Sequence, residues 1–269
     1  HPLSRRQRQM CIRDSAYYAN TSYFDSKVGL ITRTLEENGQ LDNTIIIVTA
    51  DHGDMLGERG LWYKMNFFEH SGRVPLIMAG PGVAGGAVSS PCSLVDILPT
   101  MVDIAASTGA AKPALGQPID GRSLLPMAST GDEDHGDAIG EYCAEMTADP
   151  VIMIRRGRFK YIHCDSDAPL LYDLEADPDE MVNLAGSAGH ADIAAAFAAE
   201  IADGWPMASI KADVIAKQKQ RQAIYSAMQS GVRADWDYSP PRDASEEYVR
   251  NHMDWTEAAA RTRVPPYKG

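Results

Sequence analysis

No apolar stretch in this chain approaches the ~20 consecutive apolar residues that a membrane-spanning helix needs, so none is expected. Cysteine is scarce. The four present, Cys11, Cys92, Cys143 and Cys164, lie far apart and match neither a disulfide framework nor a thiolate metal site. That usage fits a reducing cytoplasm, the expected location. Positive charge is also short, with 25 Lys+Arg against 37 Asp+Glu and a net charge of −12. An acidic chain argues against nonspecific nucleic-acid binding and against anionic membrane surfaces, so neither partner is expected. There is no internal repeat. What remains is the composition of a folded protein: 269 residues, 44% apolar and 23% charged, enough for one large domain or two modest ones.

Residues 1–15, HPLSRRQRQMCIRDS, have no apolar core and no small-residue cleavage site, so they are not a secretory signal. A basic disordered arm is one reading. Arg5 to Asp14 is also what a common transposase library adaptor gives when translated in one frame, and this segment is expected to be such an artefact. Setting aside its four arginines and one aspartate leaves a net charge of −15.

From Ala16 the pattern becomes regular. Phe24, Val28, Ile31 and Leu35 recur at helical spacing, predicting an amphipathic helix from Ala16 to Asn38 that stops before Gly39. Thr44 to Thr49 is short, β-branched and apolar on both faces, as in a central strand of a parallel sheet. Val74 to Ala79 reads as a second strand, and Leu94 to Ile104 as a helix. The alternation predicts an α/β fold, the remainder of a doubly wound, mostly parallel sheet. Ser107 to Pro118 and Ser129 to Gly136 read as loops. Ala138–Cys143, Val151–Arg155, Phe159–Cys164 and Leu170–Asp173 read as strands of a small antiparallel sheet, with a hairpin turn at Gly157. Ala191–Ala202 and Ile210–Met228 read as helices. The Pro- and aromatic-containing segment from Trp236 reads as an extended tail. The expected divisions are 1–15, the α/β part 16–130, a small α+β subdomain 131–235, and the tail 236–269.

Open α/β sheets carry ligands at the carboxyl ends of their strands, and Asp51-His52-Gly53 stands at such an end. A carboxylate beside an imidazole can supply two ligands to one divalent cation. The carboxylate favours a hard ion, and the histidine widens the choice to Mn or Zn. A helix-capping Asp beside an ordinary polar His reads the same way. Lys64 follows the aromatic loop Leu61-Trp62-Tyr63 and is a candidate clamp for an anionic oxygen, or a solvated surface residue. Glu69 and Arg73 read as a structural ion pair.

Ile45 to Pro81 reads strand, Asp-His-Gly, Gly-containing loop, Lys, Glu, then Arg73-Val74-Pro75-Leu76. In that order it resembles the C-terminal half of the sulfatase family in the alkaline-phosphatase-like superfamily. Asp96-Ile97-Leu98-Pro99-Thr100, Gly121-Arg122-Ser123-Leu124, Leu171-Tyr172-Asp173-Leu174 and Asn183-Leu184-Ala185 resemble later family segments in the same order. Trp236-Asp237-Tyr238, Pro240-Pro241, Arg250-Asn251-His252 and Lys64-Met65-Asn66-Phe67-Phe68-Glu69 are similar to bacterial choline sulfatases.

The resemblance implies sulfate-ester hydrolysis by a formylglycine made from the Cys or Ser of a Cys/Ser-x-Pro/Ala-x-Arg motif, assisted by a divalent cation. That cation is expected to be Ca2+, with Mn2+ or Mg2+ as alternatives. It implies that Asp51 and His52 are metal ligands and that Lys64 is both a catalytic and a sulfate-binding residue. Many family members carry Asn where His52 stands. Choline sulfate is the implied substrate, and Trp62, Tyr63, Phe67 and Phe68 are nearby candidates for its quaternary ammonium. No Cys of this chain begins the nucleophile motif, and the family's N-terminal Asp-Asp ligand pair has no counterpart. The chain is therefore expected to be an inactive C-terminal half of the enzyme. The tail implies a homo-oligomeric parent. An aryl sulfatase, a phosphonate or phosphodiester hydrolase, and a non-catalytic oligomerisation module are the alternatives.

Overall fold

A computed structural model describes residues 5–107, 109, 111, 116–131, 135–145 and 147–231, with side chains described from residue 13 onward. The segment from Trp236, with its expected oligomer-bridging role, lies outside the described residues.

Helix α1 (Arg5–Glu37) starts eleven residues ahead of Ala16. Arg, Gln and Met are strong helix formers, so residues 5–15 are helical where a disordered arm was expected. From residue 13 onward most of α1 faces solvent, including Tyr23, Phe24, Leu30 and Ile31.

Strand β1 (Ile46–Thr49) follows, then the short strands β2 (Met55–Leu56) and β3 (Trp62–Tyr63), one helical turn α2 (Glu69–Gly72), and β4 (Leu76–Ala79). β1 pairs with β4 in antiparallel register, Ile46 opposite Ala79 and Thr49 opposite Leu76. A mostly parallel sheet was expected; among the described residues every strand pair is antiparallel. An apolar run reports burial but not direction. Direction depends on the connection, and the short elements between β1 and β4 bring the chain back with reversed sense. The α/β class itself is as expected.

A capped turn then leads into α3 (Ile97–Ser107) and α4 (Leu125–Thr130). The buried Asp96 carboxylate organises this region. It accepts the backbone N–H of Ser93 and of Arg122, each at 2.8 Å, and lies 3.1 Å from His135 Nε2.

Strands β5 (Ala138–Tyr142), β6 (Val151–Arg156), β7 (Phe159–Cys164) and β8 (Leu170–Asp173) form an antiparallel meander in that order. They are followed by α5 (Ala191–Gly204) and α6 (Met207–Met228). The chain divides into units 1–214 and 215–269. Among the described residues, no helix is long and apolar enough to cross a membrane.

The meander is covered on both sides. Ile154, Tyr161 and Leu171 are opposite one another across β6, β7 and β8, and therefore share one face. That face packs on α5, where the Tyr161 and Phe197 rings stack at 5.5 Å beside Ile201. Lys160 and its cross-strand neighbour Tyr172 share the other face, as do Gly140, Met153 and Ile162. This second face carries the segment around Phe67 and Phe68. The Phe68 and Tyr172 ring centroids are 6.2 Å apart. Phe67 fills the space over Gly140, where a Cβ would come within 2.5 Å of its ring.

The β6–β7 turn is tied to the end of β8. Asp173 accepts from Arg158 Nε at 2.7 Å and from the N–H groups of Glu175 and Ala176. The Arg158 guanidinium above all, with those backbone donors, holds the Asp173 carboxyl below the ordinary carboxylate range. A depressed folded value means the stabilisation is complete above the unfolded value of about 3.9 and is lost as pH falls through the lower folded value. The Asp173→Asn variant is therefore expected to show a smaller drop in urea midpoint than the parent chain on acidification below pH about 4. Equal acid sensitivity of the two would refute this role.

Candidate active site

The end of β1 places three candidate residues in contact. The Asp51 side chain is 85% exposed and its Oδ1 accepts the His52 N–H at 3.0 Å. His52 is partly buried. Its Nδ1 lies 2.8 Å from the Gly53 carbonyl, which can only accept, so Nδ1 donates there and Nε2 is left for other partners. That Nε2 is 2.5 Å from Lys64 Nζ and 3.3 Å from Asp51 Oδ2. An imidazole nitrogen, a carboxylate oxygen and an ammonium thus converge on one partly open point.

Helix α2 sets this geometry. Gly53 N–H donates to the Ser71 carbonyl at 2.9 Å. A Cβ on Gly53 would lie 2.1 Å from the His70 carbonyl oxygen, so only glycine admits the approach. The buried Ser71 Oγ contacts the Lys64 carbonyl at 2.7 Å and the Asn66 carbonyl at 3.1 Å. One residue therefore holds both the strand end that bears His52 and the loop that bears Lys64. The Gly53→Ala variant is expected to lose about 2–4 kcal/mol of stability, from enforced overpacking together with a lost hydrogen bond. Chemical denaturation measures this, and a loss under 0.5 kcal/mol would show that the approach is loose.

The β2–β3 hairpin leads into Lys64. At its tip Arg59 has a left-handed backbone (φ 56°), as does Tyr63 (φ 69°). The Arg59 guanidinium lies 4.3 Å over the Phe68 ring, donates to Tyr172 Oη at 3.2 Å, and donates to the Glu180 carbonyl. The hairpin is thereby pinned to the four-stranded sheet.

Of the four aromatic candidates, Phe67 and Phe68 are engaged in packing. Trp62 lies under Arg13 at 5.0 Å, and Tyr63 is 63% exposed beside Lys64. Glu69 does approach Arg73, at 3.7 Å, but its nearer partner is the buried Lys160, 2.7 Å from Oε1. Sequence reasoning missed Arg59, Ser71, Lys160 and Glu180. For Lys160 the signal was available: it alternates in phase with Ile162 along β7, and a lysine on a covered face requires partners.

Oxygen and nitrogen donors 3.3 Å apart have the spacing of two neighbours in one coordination sphere, and a carboxylate with a neutral imidazole suits a divalent cation. Asp51 and His52 thus fit as a pair of ligands. Among the described residues no group of three or more His, Cys, Asp or Glu could hold a metal ion. Burial first, then a nearby carboxylate (Asp96 and Glu141 respectively), raises the Cys92 and Cys143 thiols above their ordinary value, which disfavours the nucleophilic thiolate.

Residues 5–107 match the family profile described as sulfatase, and 57–204 that of N-sulphoglucosamine sulphohydrolase, C-terminal. Residues 212–264 match the profile of choline sulfatase enzyme C terminal. The chain is 44% identical over 253 residues to a choline-sulfatase of Rhizobium meliloti, covering 93% of this chain and 49% of that protein. It is 32% identical over 260 residues to human arylsulfatase K, covering 88% and 47%. The solved phosphonate monoester hydrolase of Agrobacterium radiobacter superposes with a TM-score of 0.56 at 32% identity, over 66% of this chain and 38% of that one. The chain spans about half the length of the curated relatives it matches.

Proposed function

This chain belongs to the sulfatase family, and from that premise we propose that it is the C-terminal portion of a sulfuric-ester hydrolase acting on choline sulfate. The observation that carries the reading is the convergence of Asp51 Oδ2, His52 Nε2 and Lys64 Nζ at the end of β1. Asp51 and His52 would hold a divalent cation, which supplies positive charge to the oxygens of a bound sulfate group. Lys64 places a further ammonium beside those oxygens and stabilises the negative charge that develops as the ester bond breaks. The Gly53 carbonyl engages His52 Nδ1, so Nε2 is the ring nitrogen that would bind the cation, in exchange for its contact with Lys64 Nζ. Tyr63, exposed and next to Lys64, is the aromatic face best placed for a quaternary ammonium.

The nucleophile is supplied from outside these residues. No cysteine here begins the required motif, and the environments of Cys92 and Cys143 disfavour their thiolates. The 269-residue chain alone is therefore inactive. The working enzyme is cytoplasmic, in keeping with its sparse cysteines, and is a homo-oligomer bridged by residues 236–269. The 44% identity to a choline-sulfatase and the matched C-terminal profile support choline sulfate. Likeness to arylsulfatase K and to the phosphonate monoester hydrolase supports aryl sulfates and phosphonate esters as the alternative substrates.

The test is a steady-state assay of the protein from the complete reading frame on choline sulfate, an aryl sulfate and a phosphonate monoester, with this chain alone as control. A kcat/KM highest for choline sulfate, with no turnover by the chain alone, is the expected result. Preference for either other ester would replace the substrate. Turnover by the 269-residue chain would overturn the assignment of the nucleophile.

A further inference from the structure

Lys160 lies on β7, in the sheet behind the site, and is 2% exposed. Its ammonium donates to the Phe67 carbonyl at 2.8 Å and to Glu69 Oε1 at 2.7 Å, and it lies 2.5 Å from Glu180 Oε1. Glu180, also buried, accepts the Glu69 N–H through Oε2 at 2.7 Å. All these groups converge on the entry to α2. Two residues further on, Ser71 holds the Lys64 carbonyl through its hydroxyl and the Gly53 N–H through its carbonyl. Short contacts at either end, joined by the backbone turn of α2, therefore link Lys160 to the two backbone points that set Lys64 against His52.

An ammonium suits this position for a reason other than stability. Burying one charge between two carboxylates gains little over a well-packed apolar residue of similar volume. What the ammonium adds is direction. It donates to two acceptors in segment 67–69 and pairs as a charge with Glu180 Oε1 of a second segment. A methionine would fill the same volume and orient none of them.

We propose that Lys160 is a positioning residue for the active site: with Glu69 and Glu180 it fixes α2, and through Ser71 it holds Lys64 opposite His52. This role rests on the reading of Lys64 and His52 given above.

The experiment follows the ring nitrogens of His52 in the full 269-residue chain, labelled with 15N-histidine, at one fixed pH through the carbon-bound ring protons. Lys64→Ala defines the signal of His52 without its lysine. Lys160→Met is expected to move the Nε2 resonance at least half of the way to that position, while the β5–β8 amide signals stay dispersed. Ser71→Ala, which removes a single hydroxyl, is expected to move it in the same direction. A purely structural Lys160 would lower the unfolding midpoint and leave this resonance in place. Should Lys160→Met fail to fold, Ser71→Ala decides: an unmoved resonance overturns the proposal. If Lys64→Ala itself leaves Nε2 where it was, the contact on which the site reading depends is absent, and both fall. If Lys64→Ala moves it while Lys160→Met and Ser71→Ala do not, only the positioning role falls.

Discussion

Replacing Lys64 by alanine is expected to lower kcat on the sulfate ester by about 10²–10³-fold in the enzyme from the complete reading frame, with little loss of stability. The two effects separate because of where Lys64 sits. Its ammonium reaches His52 Nε2 from a solvent-facing position, so removing the stem opens no cavity. Its charge faces the point where the Asp51 and His52 donors converge. A preorganised cation aimed at developing negative charge is worth about 2.7–4 kcal/mol of transition-state stabilisation. Lys64→Arg is expected to recover only part of the rate, because a planar fork does not replace a compact point charge at a fixed distance. The check pairs initial rates of sulfate release with urea unfolding of the same samples. A Lys64→Ala rate within threefold of the parent's would remove Lys64 from the chemistry.

The largest stability effect is expected at Glu180. Both Glu180 and Lys160 are buried, so Glu180→Ala leaves an ammonium with one carboxylate fewer and strips the Glu69 N–H of its acceptor. Removing one partner of a buried ion pair costs about 3–5 kcal/mol. Glu180→Gln keeps an oxygen for the Glu69 N–H and is expected to cost less. Glu180 also has a left-handed backbone (φ 57°), a conformation that costs an L-residue about 1–2 kcal/mol and glycine almost nothing. Glu180→Gly is accordingly expected to be less harmful than Glu180→Ala. Urea midpoints of the β5–β8 transition give the order, and an alanine variant more stable than the glycine variant would contradict it.

The strands of the meander were legible almost to the residue, because they are short runs rich in β-branched, aromatic and other apolar residues bounded by turn residues such as Gly157. Strand direction in the β1–β4 pair was not, since Ile46–Thr49 is apolar on both faces and gives no register signal. Asp51, His52 and Lys64 could be picked out because the order of segments from Ile45 to Pro81 resembles the sulfatase family, whereas their residue types alone left structural readings open; the structure brings His52 Nε2 within 3.3 Å of both Asp51 Oδ2 and Lys64 Nζ. The groups that hold them there could not. Ser71 acts through a backbone contact to a residue seven positions away, and Glu180 reaches α2 from 111 residues downstream. Arg59 reads as an ordinary turn residue until Phe68 and Tyr172 close around it.

The two-sided burial of β7 has a consequence for how this gene can vary. Odd positions Phe159 and Tyr161 belong to the scaffold on α5, and even positions Lys160 and Ile162 belong to the side that carries the segment around Phe67. The two messages are interleaved in one strand. A single-residue insertion or deletion inside 159–164 would exchange them, driving the Tyr161 ring toward Glu69 and an ammonium into the apolar layer. Substitutions can thus tune either side separately, whereas length changes damage both at once. Tolerated indels should collect outside the strand, at the Gly157 turn and in residues 165–169.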